Sequence, residues 1–370
     1  MQEEQIRDES QLNEQLIKII QRLIAIVVFL VIALTIVGLM AIYKPNLSSI
    51  FESKPVEAID QTLQKAATDE KLDEKGLGAE SVFWQAPDIQ SISDAKQKAL
   101  VEYGRELIAH TAKYLGPKGS VMQTTNGMNC QNCHLEAGTK AWGNNYAAVC
   151  STYPKYRARS GKQEDIYKRV NDCFERSLNG KPLANNSNEM QAIKAYIEFL
   201  GSEVKKGDKP KGTGIYELPF LSRAADAIAG KSLYSSKCQS CHQQDGQGQI
   251  TAGQVEYTYP PLWGKHSYNV GAGLYRLSRL AGYIRYNMPQ GASFSNPQLT
   301  DEEAWDIAAY INSQIRPKKD LSADWPKVEE KPIDHPFGPY ADSYSEQQHK
   351  FGPFQPIADF KKKLKPQTKP

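Results

Sequence analysis

The sequence predicts an all-α protein: two similar helical domains in tandem, behind an N-terminal transmembrane helix and stalk and ahead of an irregular C-terminal tail. Three observations carry this expectation. The pentapeptide C-x-x-C-H occurs twice, as CQNCH at 130–134 and CQSCH at 238–242. Each copy precedes a helix with a matching apolar pattern, AIKAYI at 192–197 and DIAAYI at 306–311, so one architecture is used twice. Finally, residues 23–43, LIAIVVFLVIALTIVGLMAIY, run without a charge for long enough to cross a bilayer core of about 30 Å as a helix.

In chain order, residues 1–22 form a short cytoplasmic segment and 23–43 the anchor. The following YKPNLSSIF offers no small-residue cleavage site, which favours an uncleaved anchor over a signal peptide. Arg7, Lys18 and Arg22 before the span, against Lys44 and Lys54 after it, put the N-terminus inside and the body on the periplasmic, extracytoplasmic side. Residues 44–93 read as a stalk, with FWQAPD at 83–88 beginning the packed body. The first domain, 94–205, opens on the helical pattern KQKALVEYGRELIAHTAKYL, stopped by GPKG, and closes on NSNEMQAIKAYIEFLG. A Gly/Pro/Lys-rich stretch leads into a linker at 206–221. The second domain, 222–320, opens on SRAADAIAGKSLYSSK and closes on LTDEEAWDIAAYINSQI, where Thr300 and the acids after it suit a helix start. Residues 321–370, rich in proline and aromatics, are expected to pack along the body. The chain is 40% hydrophobic and 24% charged, as globular proteins are. A formal charge of +3 with no basic stripe argues against nucleic acid, and KKKLKP at 361–366 reads as a solvated tail.

The pentapeptide has a mechanical meaning. Two thiols, Cys130 with Cys133 and Cys238 with Cys241, add to the two vinyl groups of a haem, and the adjoining His134 or His242 turns its ring onto the iron. A zinc knuckle or redox pair fits less well, because both pairs carry the histidine at once and both lie on the exported side of the anchor. The domains are therefore expected to be class-I-like cytochrome c domains holding two covalently bound c-type haems.

The repeat also acts as a ruler for the sixth ligands. Met288, the only methionine after the second pentapeptide, lies 22 residues before Tyr310 of the closing helix. The same interval from Tyr196 lands on Phe174, next to Cys173, whereas Cys150 is far out of register. Cys173 thus stands where Met288 stands, giving axial pairs His134/Cys173 and His242/Met288. A Cys150–Cys173 disulfide is the alternative for two spare cysteines in an oxidising compartment. His266 is a rival to Met288, while His110, Met122, Met128 and Met190 are poorly placed. A thiolate opposite histidine lowers a haem potential, which suits a site that is more than a relay.

Around Cys173 stand Arg157, Arg159 and Arg169, with Ser177; on a helix Arg169 and Ser177 flank it on one face. Guanidinium groups beside a sulfur can hold a small oxyanion, and they can equally pair with haem propionates or surface acids. Thiosulfate meets both demands, with a sulfonate end for arginine and a sulfane sulfur for cysteine. Joining two into tetrathionate releases two electrons, matching two one-electron haems.

The runs GMNCQNCHLEAGTKAWGNNYAAV, YPKYRARSG, RVNDCFERSLNGKPL, NEMQAIKAYI and HPFGPYADSYSEQQHKFGPFQPI make residues 82–357 resemble the dihaem c-type thiosulfate dehydrogenase/tetrathionate reductase family. That resemblance implies Cys173 as axial active-site cysteine, with Arg159, Arg169 and Ser177 lining the substrate pocket. It implies His134 and His242 as proximal ligands and Met288 as a distal one. It further implies thiosulfate and tetrathionate as substrates, and a soluble or membrane cytochrome or terminal oxidase as electron acceptor. Some members carry a lysine near that methionine able to take its place, whereas here Asn287 stands directly before Met288; the anchor and Cys150 also depart from many members. A membrane-anchored dihaem carrier without its own substrate, a sulfur-carrier transferase, and tetrathionate reduction as the working direction remain open at this level.

Overall fold

The computed structural model describes residues 20–28, 30, 35, 83–250 and 255–364. The chain divides into two units, Met1–Gly78 and Ala79–Pro370. In the first, residues 20–28 are helical and exposed, while most of the expected anchor and the stalk up to residue 82 lie outside the described residues. Among the described residues, no helix is long and apolar enough to cross a membrane.

The second unit is built on two helix pairs. Its elements are α1 (Ala95–Ala109), β1 (Lys155–Arg157), β2 (Lys162–Glu164), α2 (Ile166–Arg176), α3 (Asn188–Leu200), α4 (Ala227–Lys237), β3 (Gln249–Ile250), β4 (Tyr257–Tyr259), α5 (Leu277–Asn287), α6 (Asp301–Ser313), α7 (Glu346–Phe351) and α8 (Gln355–Leu364), joined by loops and short turns. Side-chain oxygens cap the starts: Asp94 for α1, Asp165 for α2, Ser187 for α3 and Asp226 for α4 each accept from free backbone N–H groups. At α6, Thr300 and Glu303 exchange bonds of 3.1 and 2.9 Å in a capping box.

The repeat seen in the sequence is a repeat in space. Helix α1 packs on α3, and α4 on α6. Gly104 faces Ala192 and Tyr196, so that an added Cβ would sit 2.0 Å from the Ala192 carbonyl oxygen. Gly230 faces Asp306 and Tyr310, and its Cβ would sit 1.9 Å from the Asp306 oxygen. Ala192 and Tyr196 correspond to Asp306 and Tyr310 in the closing helices, so both crossings use a glycine against the same two positions. Each pair closes one core: Leu107, Met190, Ile193 and Phe174 in the first, and Tyr234, Leu277, Trp305 and Ile307 in the second. Fully burying such a side chain contributes roughly 1.5–3 kcal/mol.

Three details depart from expectation. The protein is not purely helical: β1 pairs antiparallel with β2, and β3 with β4. These strands are too short and polar to show alternation in the sequence. The opening helical pattern breaks at His110, where Thr111 turns its hydroxyl to accept from the Cys130 N–H at 2.9 Å. Residues 206–221 are no free linker, because the Gly212 and Gly214 carbonyls accept from the N–H groups of Trp142 (2.7 Å) and Asn144 (2.8 Å). The C-terminal segment lies against both halves: Phe354 and Ile357 are buried in the second core, while Trp325 donates its N–H to the Arg159 carbonyl at 2.7 Å.

Candidate functional site: two cysteine-pair loops and an arginine-lined cavity

The first pentapeptide forms a tight turn in which His134 N–H returns to the Cys130 carbonyl at 2.9 Å. The His134 Nδ1–H donates to the Asn144 carbonyl at 2.5 Å, and its ring stacks on Tyr146 at 4.5 Å. This arrangement assigns the proton to Nδ1 and leaves Nε2 a lone pair for a metal. Gly138 makes the stack possible, since at φ 85° its missing Cβ would strike the Tyr146 ring at 2.1 Å. The second pentapeptide repeats the pattern: His242 N–H bonds the Cys238 carbonyl at 3.0 Å, and Nδ1–H donates to the Pro260 carbonyl at 2.9 Å. Burial holds His134 down to about 4, with Arg169 pushing the same way, and burial lowers His242 too. Both rings are neutral, as metal ligation requires.

Cys173 lies in α2, one turn after Arg169, whose Nη1 donates to its Sγ at 3.3 Å. The Cys173 sulfur facing it raises the Arg169 guanidinium above its ordinary value, against the opposing effect of burial. No disulfide joins any of the six cysteines, so the Cys150–Cys173 disulfide is not formed. Cys150 instead packs beside Gly201 on α3. Ser177 caps α2 and donates its N–H to the Cys173 carbonyl at 2.9 Å. Met288 follows α5 directly and Cys173 lies in the last turn of α2, so each sulfur stands near the C-terminal end of a helix. Met288 packs against the second core with Cys238 and Leu262. His266 is exposed, Met190 is buried in the first core, and His110 pairs with Glu256 at 3.0 Å.

Two adjoining cavities share His134, Arg169, Cys173 and Ser177. One is lined mainly by apolar side chains such as Ile108, Met128, Val149 and Phe174, together with Cys130 and Cys133. A close-packed core fills such an apolar space with side chains, so the residues fit a flat apolar macrocycle gripped by two sulfurs and a histidine. A second observation agrees. Arg316 is 6% exposed, lies between the rings of Tyr268 and Tyr275 (4.3 and 4.8 Å), and leaves Nε and Nη1 without partners. A buried cation of this kind lacks the counter-charge that a propionate-bearing group would bring.

The other cavity, about 1110 Å³, is lined by Arg157, Arg159, Arg169, Arg176, Arg276 and Arg279. Arg157 lies in β1 and Arg159 in the turn to β2, the hairpin the sequence did not show. Arg276 and Arg279 come from the second domain, some hundred residues on, with no local signal to announce them. Arg176, one turn after Cys173, could have been found on the same helical-face reasoning as Arg169. Most of these groups are spoken for. Arg176 makes a bidentate pair with Asp324 (2.7 and 2.7 Å), Arg276 donates twice to Asp334 (2.7 and 2.5 Å), Arg279 meets Glu217 at 3.1 Å and Arg157 meets Glu164 at 3.8 Å. Among the described residues, the Arg159 guanidinium has no carboxylate partner. Burial, and Arg176 and Arg169 nearby, hold it down to about 10.

Two helix-pair domains, each with a C-x-x-C-H turn and a neutral histidine, define a dihaem c-type cytochrome. Family models agree: one described as SoxA/TsdA, cytochrome c domain matches residues 120–205, and one described as Cytochrome c matches 227–314. The chain is 37% identical over 243 residues to thiosulfate dehydrogenase of Stutzerimonas stutzeri, covering 66% of this chain and 76% of that one. It is 40% identical over 196 residues to thiosulfate dehydrogenase of Allochromatium vinosum, covering 52% and 71% respectively. A solved structure titled thiosulfate dehydrogenase (TsdBA) from Marichromatium purpuratum superposes with a TM-score of 0.59 at 31% identity, over 64% of this chain; the chain spans about half that structure's length, 50%. The chain belongs to the thiosulfate dehydrogenase family and carries two c-type haems.

Proposed function

We propose that the chain joins two thiosulfate ions into tetrathionate at Cys173 and passes the electrons through its two haems to an external acceptor. The observation that carries this is the Arg169–Cys173 contact of 3.3 Å on the wall shared by the apolar cavity and the arginine-lined one. A sulfur there meets a haem on one side and an anion on the other.

His134 and Cys173 would hold the first haem, and His242 and Met288 the second. When bound, the haems supply the one-electron acceptors. The protein's part is to bind and orient. Arg159 and Arg169 take the sulfonate of thiosulfate by planar, charge-assisted hydrogen bonds, Ser177 lines the same wall, and the sulfane sulfur rests against Cys173. Two dianions each lose one electron, one S–S bond forms between their sulfane sulfurs, and a single dianion leaves. No proton changes hands, so cations and a sulfur suffice where an acid–base pair would be idle. The same geometry runs in reverse, as tetrathionate reduction, when the potentials favour it.

Residues 23–43 anchor the chain once in the cytoplasmic membrane with the haem domains on the periplasmic side, near a soluble or membrane cytochrome or a terminal oxidase that takes the electrons; their uncharged run supports this. Replacing Cys173 with glycine should abolish thiosulfate turnover with an artificial one-electron acceptor while both haems stay attached. Turnover retained in that variant would refute the assignment.

A further inference from the structure

Three arginines of the cavity beside Cys173 are held by the C-terminal segment, and not in the same way. Arg176 and Arg276 meet the buried carboxylates of Asp324 and Asp334. Arg159 meets no carboxylate. Its carbonyl accepts from Trp325 N–H at 2.7 Å, its guanidinium lies over the Trp325 ring at 5.8 Å, and the Trp325 ring meets the His335 ring edge-on at 5.6 Å. Arg159, Arg276, Asp324 and His335 line one small side cavity, which shares Arg159, Ala272 and Arg276 with the larger one.

The His335 Nδ1–H donates to the Phe337 carbonyl at 3.1 Å. The Phe337 N–H also approaches that nitrogen, at 3.4 Å, but both bonds cannot exist in one tautomer. The shorter one is preferred because Nε2 then offers a lone pair, not a hydrogen, to a cavity lined by guanidinium groups. Burial, with Lys331, Arg159 and Arg276 close by, holds His335 down to about 4, so the ring is uncharged at neutral pH.

We propose that His335 is a positioning residue for the anion site: with Trp325 it holds Arg159 by neutral groups and leaves that guanidinium's charge for the bound oxyanion. A guanidinium already forked onto a carboxylate has little left to offer a sulfonate, whereas one steadied by the Trp325 ring face, itself backed edge-on by the His335 ring, keeps both its donors and its charge. The segment thereby sorts the arginines, with aspartates on those that build the wall and aromatic neutrals on the one that binds.

The inference rests on the thiosulfate reading, and the full-length holoenzyme tests it. His335→Gln and His335→Glu are nearly equal in size and differ in charge. His335→Gln should keep KM for thiosulfate within about threefold of wild type; His335→Glu should raise it about tenfold or more, with kcat moved by less than about threefold. In an Arg159→Gln background the gap between the two should close. Equal KM values, a glutamine variant as poor as the glutamate one, or a gap that survives loss of Arg159 would overturn it. If His335→Glu fails to retain haem, the same Gln/Glu pair at Trp325 makes the comparison with the same expected gap. Failure of the thiosulfate reading shows separately, as a wild-type holoenzyme without turnover.

Discussion

Arg169→Met removes the one side chain that touches Cys173 Sγ and also lines both cavities. Two losses follow. The 3.3 Å donor to sulfur disappears, and so does one of the two guanidinium groups offered to the sulfonate. A hydrogen bond to a charged partner contributes about 1.5–3 kcal/mol, and about 1.4 kcal/mol is a decade in rate, so kcat/KM should fall on the order of 10- to 100-fold. Loss of the donor also leaves the sulfur more electron-rich, which should lower the midpoint potential of the first haem and leave the second unmoved. Arg169→Lys keeps the charge without the planar fork and should fall between. The assay is thiosulfate turnover with an artificial acceptor, beside a redox titration that resolves the two haems. A methionine variant with both haems attached and kcat/KM within about threefold of wild type would refute the reasoning.

Two further outcomes test the frame around the site. Gly230→Ala would place a Cβ 1.9 Å from the Asp306 carbonyl oxygen, so α4 and α6 must move apart; the cost should be about 1–3 kcal/mol, read as a lower thermal midpoint, and an unchanged midpoint would contradict the packing described. Asp334 is 1% exposed and held below the ordinary carboxylate value of 3.8: burial opposes this, but Arg276 and the bonds from Ser278 outweigh it. Its stabilising contribution is therefore fully present above that value and lost as pH falls through the lower folded one. Asp334→Asn should lower stability by roughly 2–4 kcal/mol at neutral pH and flatten the acid limb of a urea-unfolding series, where an unchanged limb would count against the pairing.

What was legible in the sequence was whatever repeats or recurs locally. The pentapeptides, the closing helices and the near-equal spacings, 23 residues from Cys173 to Tyr196 and 22 from Met288 to Tyr310, are short-range facts, and the structure sets Cys173 in α2 and Met288 just after α5. Arg169 and Ser177 followed from helical spacing alone. The rest depends on partners far apart in the chain. Nothing around Arg159 announces that it sits in a hairpin turn, because KYR and KQE show no alternation of apolar and polar residues. Nothing around Asp324 or Asp334 says that their partners are Arg176 and Arg276, over 50 residues away or more. Residues 206–221 read as a linker from their Gly, Pro and Lys content, yet glycine carbonyls serve there as acceptors for the loop after the first pentapeptide. Composition shows which residues can turn, not what they will bond.

Cys173 and Met288 both lie near the C-terminal end of a helix and meet different surroundings. Cys173 sits inside α2 with an arginine-lined cavity on its flank. Met288 follows a helix end fastened to the first domain, where Asn287 donates to the Trp142 carbonyl at 3.1 Å and Tyr283 to the Asn132 carbonyl at 2.9 Å. Around that junction Trp142, Tyr216, Tyr286 and Phe294 pack ring against ring at 4.8–6.2 Å. Asn132 lies within the first pentapeptide, and Tyr283 lies in the helix that leads to Met288. The hydrogen bond between them therefore joins the first pentapeptide to the helix that leads to Met288.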